Sequence, residues 1–167
     1  MMFLLFYLGQ DRYVIEASRV IEVLPLVELK RIPEAPQGVA GLFNYRGQPV
    51  PAVDLSQLTL GRPAAECLST RVIVVGYPDE KGRQHPLGLI AERATEIIRR
   101  DTAQFVEPGL NVGSPPYLGP VLMDGQGVIQ WVHEGRLLPD KMRDLIFCEA
   151  QVATETVAVA ALSESNS

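Results

Sequence analysis

The chain has little cysteine and little histidine, two residues of each in 167. That scarcity narrows its chemistry at once. A zinc site needs several Cys or His ligands in short pairs, and Cys67, Cys148, His85 and His133 stand far apart. Two widely spaced thiols make no disulfide framework and fit a reducing compartment. Cys67 has no basic neighbour in sequence, so an inert thiol is the expectation there. No Gly-x-Ser-x-Gly elbow and no phosphate-cradling Gly-x-x-x-x-Gly-Lys-Ser/Thr loop occurs.

Charge of one sign is also missing. The 15 basic and 20 acidic residues are scattered, with no run of four or more like charges. Three of the acids (Glu149, Glu155, Glu164) fall in the final stretch, which has no Lys or Arg, so the preceding body is nearly neutral. Neither a basic nucleic-acid footprint nor a polyionic arm is present. Long apolar runs are absent too. Met1 to Leu8 is too short to span a bilayer, lacks a basic start, and is followed by Gln10-Asp11-Arg12. It reads as a buried strand, with no secretory leader and no membrane insertion.

Turn formers are plentiful, with 13 prolines and 14 glycines. They leave little room for long helices and predict a mainly β chain. Strands are expected at 2–8, 12–16, 19–24, 38–45, 49–54, 70–77, 85–91, 94–99, 117–123 and 127–133. A helix is expected over 135–147, with Leu138, Met142, Leu145 and Ile146 near one face and Pro139 in its first turn. A short one is expected at 55–60. After about residue 148 the composition shifts to Ala, Val, Thr, Ser and Glu. The expectation is a partly disordered tail over 149–167, within which 152–162 forms either a strand or a helix against a neighbour.

The most informative stretch is Gly41 to Asp54. Leu42, Phe43 and Tyr45 lead into a turn at Arg46-Gly47, and Val50 and Val53 lead out. Pro49 and Pro51 remove ladder donors, which places this hairpin at an edge or rim. Gly47 supplies the positive φ that a reversal needs. Arg46 then either solvates the turn or presents a planar, doubly donating cation for recognition. Asp54 reads as a cap for the 55–60 helix in preference to a catalytic acid. Asp54 and Glu22 are the carboxylates that a small β-barrel enzyme would use. Trp131, among Val128, Ile129 and Val132, reads as core.

A weak internal repeat is visible. A shift of 74 lays Ala17–Val23 on Ala91–Ile97, and a shift of 78 lays the Gly41 hairpin on Gly119–Val132. Two copies of one small β unit would explain it, and this alignment sets Asp124 opposite Arg46.

Phe3–Ile15, Val20-Ile-Glu-Val23, Ile32–Leu55, Arg71–Val75, Pro86–Ile90 and Gly119–Val132 together resemble the CheW family of chemotaxis coupling adaptors. The most specific part is Gly41-x-x-Asn-x-Arg-Gly-x-x-x-Pro-x-x-Asp-Leu55 with Ala35-Pro36 upstream. The resemblance implies an all-β fold of two packed SH3-like five-stranded barrels and a short C-terminal helix. It implies one domain over 1–148, a subdomain boundary near 60–70, and strands free to exchange between the halves. It implies no catalysis and no cofactor. The implied partners are the cytoplasmic tip of a methyl-accepting receptor and the regulatory domain of a CheA-type histidine kinase, in the cytoplasm at receptor arrays. The implied contact residues are Val20, Glu22, Gly41, Asn44, Arg46 and Gly47, with Arg46 also holding the hinge between barrels. Tyr45 stands where an aliphatic residue is common, and Ser56 where an arginine is common. Those departures, the Gly109–Tyr117 connection with Pro115-Pro116, and the tail leave a parallel chemosensory pathway as the alternative, with an enzyme behind it.

Overall fold

The computed structural model describes residues 1–109 and 113–147. It contains nine strands among them: β1 (Met2–Leu8), β2 (Asp11–Glu16), β3 (Val20–Pro25), β4 (Val39–Tyr45), β5 (Gln48–Asp54), β6 (Arg71–Pro78), β7 (Gln84–Arg99), β8 (Leu118–Asp124) and β9 (Gly127–Val132). Helix α1 (Leu55–Leu60) follows β5, and residues 140–147 are helical (α2). The expected strands at 85–91 and 94–99 are one 16-residue strand. The apparent break is a bend at Arg93, a non-glycine residue with φ 48°.

That long strand belongs to two sheets. Its first half, 84–91, pairs with β6, and its second half, 92–99, pairs with β1. The first sheet contains β3, β6, β7, β5 and β4, and the second β7, β1, β2, β9 and β8. Among the described residues, each curls back on itself through a bridge, Lys30–Leu42 in the first and Val106–Val121 in the second. β1 and β2 pair with β7 and β9, which lie beyond the 60–70 connection.

Sequence alternation decides which core each residue enters. Phe3 and Leu5 of β1 point into the second sheet's interior with Val14, Leu122 and Ile129. Their alternates Leu4, Phe6 and Leu8 join Ile73, Val75, Tyr77, Leu87 and Leu89 in a layer between the sheets. Val72 and Val74 fill the first sheet's interior with Phe43, Val50, Ala52 and Ile90. Strands buried on both faces read as continuous apolar runs, which is why β1 and β6 show no polar alternation. Trp131 is half-buried beside this second interior, edge-on to Phe3 at 5.0 Å.

The repeat is present in the pairing pattern. β3–β6–β7 matches β7–β1–β2: Val23 corresponds to Ile97 at the shift of 74, and their ladder partners are Ile73 and Leu4. The hairpins match at a shift of 79, one residue more than the letters suggest. Tyr45↔Gln48 corresponds to Asp124↔Gly127, and Phe43↔Val50 to Leu122↔Ile129. Asp124 is therefore the counterpart of Tyr45, and Arg46 aligns with Gly125.

The C-terminal helix is shorter than expected. Residues 134–136 form a separate 3-10 turn, and Pro139 precedes the helix, its carbonyl accepting from the Arg143 amide at 2.9 Å. Leu138 and Ile146 are buried, whereas Leu145 is 45% exposed and off the packed face. Tyr77 anchors the entry, its hydroxyl accepting from the Leu138 amide at 2.9 Å. Phe147 stacks on His85 at 4.7 Å. The 149–167 tail lies outside the described residues, as does Cys148.

Candidate functional site

The hairpin β4–β5 turns through Arg46 at φ 52° and Gly47 at φ 82°. Two consecutive positive φ values make a two-residue turn whose twist suits the flanking strands. Glycine adopts this without penalty, whereas the left-handed conformation costs an arginine about 1 kcal/mol. Asn44 closes the turn, its Oδ1 accepting from the Gly47 amide at 2.9 Å.

Glu22 arrives from β3. The register against β6 slips between Val20↔Val75 and Glu22↔Val74, so Ile21 is an extra residue and is 56% exposed. A bulge of this kind re-aims the following side chain. Here it brings Glu22 Oε2 to 2.8 Å from the Tyr45 hydroxyl and 3.1 Å from Arg46 Nη2. The guanidinium also lies over the Tyr45 ring, 5.1 Å from its centroid. Donation to the Glu22 carboxylate is the main cause that raises the Tyr45 phenol above its ordinary pKa. Arg46 stays 73% exposed.

Four of the six expected residues thus meet at one tip: Glu22, Asn44, Arg46 and Gly47. Val20 is half-buried against the layer between the sheets and supports β3 from beneath. Gly41 is buried, with φ 148°, where an added Cβ would collide with the Lys30 carbonyl oxygen. Its role is to let β4 approach the 29–30 segment, which it joins through paired Lys30–Leu42 bonds of 2.8 Å. Among the described residues, Arg46 bonds only within the first sheet. At the strand that joins the sheets it is Arg93 that acts as a pin, donating to the Gly9 carbonyl at 3.1 Å and lying 4.0 Å over Tyr7. Tyr45, which the sequence marks only as a strand residue and a departure from the family pattern, joins the expected residues at this tip. Its signal was a phenol at the strand end next to the arginine.

Beside the tip is a groove of about 330 Å³, mainly apolar, lined among others by Lys30, Leu42, Asn44 and Pro49.

The equivalent hairpin of the second sheet is built differently. Asp124 receives Arg12 with both oxygens, at 3.1 and 2.5 Å, plus the Gln126 amide at 2.8 Å and Arg100 at 3.4 Å. Arg12 is 9% exposed and also donates to the Gly127 carbonyl at 3.1 Å. These bonds, Arg12 first, hold the Asp124 carboxyl well below the usual carboxylate range.

The other singled-out residues have structural partners. Asp54 Oδ1 accepts from the Ser56 and Gln57 amides at 3.0 and 3.2 Å and caps α1, while Oδ2 accepts from the Ala64 amide at 2.9 Å and holds the segment after the helix. His85 Nε2 is 2.8 Å from Asp79. Burial is the chief cause that lowers the His133 pKa. The exposed Cys67 thiol contacts Ser69 Oγ at 3.4 Å and Thr70 Oγ1 at 3.3 Å, and these hydroxyls bring its pKa down to about 7. Among the described residues no cluster of His, Cys, Asp and Glu could hold a metal, and no helix is long and apolar enough to cross a membrane.

Known proteins resemble this chain in sequence and in fold. A chemotaxis protein CheW of Helicobacter pylori is 33% identical over 98 residues, 58% of this chain and 56% of that protein. One of Klebsiella aerogenes is 27% identical over 106 residues, 64% of this chain and 60% of that protein. The matches therefore span a little over half the length of these relatives. The crystal structure of a scaffolding protein, TtCheW of Thermoanaerobacter tengcongensis, superposes with a TM-score of 0.72 at 23% identity, covering 84% of this chain and 89% of that one. Residues 2–142 match the CheW-like domain, and the chain belongs to that family.

Proposed function

We propose that this protein is a non-catalytic adaptor of chemotaxis-type signalling. It couples the cytoplasmic tip of a methyl-accepting receptor to the regulatory domain of a CheA-type histidine kinase. In this reading it works in the cytoplasm and is recruited to membrane receptor arrays. The contact set is Val20, Glu22, Gly41, Asn44, Arg46 and Gly47, in which Val20 supports β3, Gly41 seats β4 against the 29–30 segment, and Glu22 binds Tyr45 and Arg46. Residues 1–148 act as one domain of two β-barrel subdomains, a reading supported by the shared strand β7 and the core between the sheets.

The observation that carries the proposal is the tip itself. A non-glycine residue held left-handed on a rigid turn, 73% exposed, is costly to keep unless its charge is used. A forked cation beside an apolar groove suits a reversible protein contact. The enzyme alternative has less to stand on, since both Asp54 oxygens are committed to backbone amides.

The test is reconstitution with receptor assemblies and a CheA-type kinase. The adaptor changes kinase output only when receptor is present, and alone it turns over no ATP. Failure to bind either partner at any salt concentration sinks the proposal.

A further inference from the structure

The two hairpins close on equivalent steps of the repeat, Tyr45↔Gln48 in one and Asp124↔Gly127 in the other. The residue at that step differs in charge. Asp124 meets Arg12 fork to fork, and the guanidinium is withdrawn to 9% exposure. Tyr45 is uncharged. Its ring is buried in the first sheet's interior, 6.2 Å from Phe43, so its hydroxyl has little freedom to move. That hydroxyl donates to Glu22 Oε2, the oxygen that also accepts from Arg46. With this oxygen shared, Glu22 meets Arg46 through one contact in place of the bidentate grip made at the other tip. A guanidinium has five N–H donors, and Glu22 takes one.

We infer that Tyr45 is the positioning residue that determines the specificity of this tip. By holding Glu22 away from a bidentate grip, it leaves Arg46 displayed for a carboxylate side chain of the kinase regulatory domain. The inference rests on the adaptor reading above. Lys30, exposed on the rim of the adjoining groove, adds a second cation, and Leu42 and Pro49 supply apolar lining. The occupant is therefore an acidic residue flanked by an apolar one. Such a charge-assisted, forked bond is short, directional and intolerant of lysine.

The test is Tyr45→Phe, which removes one oxygen and keeps the ring. Affinity for the kinase regulatory domain is measured by calorimetry over a range of salt, alone and combined with Glu22→Gln. The expected result is a loss of about tenfold in Tyr45→Phe, the scale of one hydrogen bond to a charged group. In the Glu22→Gln background the same change has less than a twofold effect, because there is no carboxylate left to hold. Packing alone would give equal losses in both backgrounds, and that result overturns the inference, as does wild-type affinity in Tyr45→Phe. If Tyr45→Phe fails to fold, Arg46→Lys decides: binding at least tenfold weaker supports a displayed, forked contact, and binding within about threefold of wild type overturns it. Wild-type protein that binds no kinase domain at all refutes the adaptor reading instead.

Discussion

The two hairpin tips use the same frame for opposite ends. At the second, a buried arginine and an aspartate satisfy each other, and two backbone groups and a second arginine complete the set. At the first, the arginine stands in solvent with a single ion pair and a strained backbone. One tip's charges stabilise the fold, whereas the other's are kept for a partner. The lesson is that charge count says little here and coordination says much. An arginine that donates to three acceptor groups is structural, and an arginine with one monodentate partner remains free to recognise.

That contrast can be broken most forcefully at the second tip. Arg12→Ala leaves Asp124 without its main partner in a half-closed site. The expected loss is about 3 kcal/mol of stability, read as a lower urea midpoint with an unchanged slope. The next largest effect is on binding. Arg46→Ala keeps the fold within about 0.5 kcal/mol, since exposed ion pairs contribute little. It should nevertheless weaken kinase-domain binding at least tenfold in calorimetry, as loss of an anchor does. Equal stability losses in the two variants would erase the contrast.

Acid separates the tips more finely. The folded-state pKa of Asp124 is depressed, so its contribution is fully present above the ordinary aspartate value of about 3.9 and fades as pH falls below it. Denaturant melts of wild type should lose stability below about pH 4. Asp124→Asn should reduce that loss, with a remainder from Asp79, whose carboxyl the His85 contact also holds low. The smallest effect concerns the strained turn. Arg46→Gly relieves the left-handed penalty and should raise stability by roughly 0.5 kcal/mol in thermal melts while still losing the partner. A variant that gains stability and keeps binding would show that the arginine is ornamental.

Much of this was legible in the letters. Glycine and proline punctuation marked the strand ends, and apolar runs marked β1 and β6. Gly47 marked the reversal, and Asp54 preceding Leu55 announced a helix cap. The repeat was visible but misaligned. Matching Gly41 to Gly119 and Gly47-Gln48 to Gly125-Gln126 gave a shift of 78, whereas the ladder follows 79. A one-residue slip turns every strand side chain to the other face. It therefore made Arg46 and Asp124 appear to be opposites, when the real opposites are Tyr45 and Asp124. The bend at Arg93 looked like a strand end because Ala91-Glu92-Arg93-Ala94 interrupts the β-prone run. Pairing on both sides of the bend carries β7 through it.

What the chain determined by itself was local. Composition excluded metal and disulfide chemistry of the usual spacings, alternation set the strands, and the Asn44-Tyr45-Arg46-Gly47 run specified a tight turn carrying a cation. Which charges meet was decided only in three dimensions. Arg12 and Asp124 are 112 residues apart, and Tyr45 and Glu22 are 23 apart. Short-range preference acts on backbone angles and side-chain faces, so it can build a turn and aim a strand. A carboxylate is claimed by a guanidinium or shared with a phenol only once the sheets have closed, because that outcome depends on register and distance across strands.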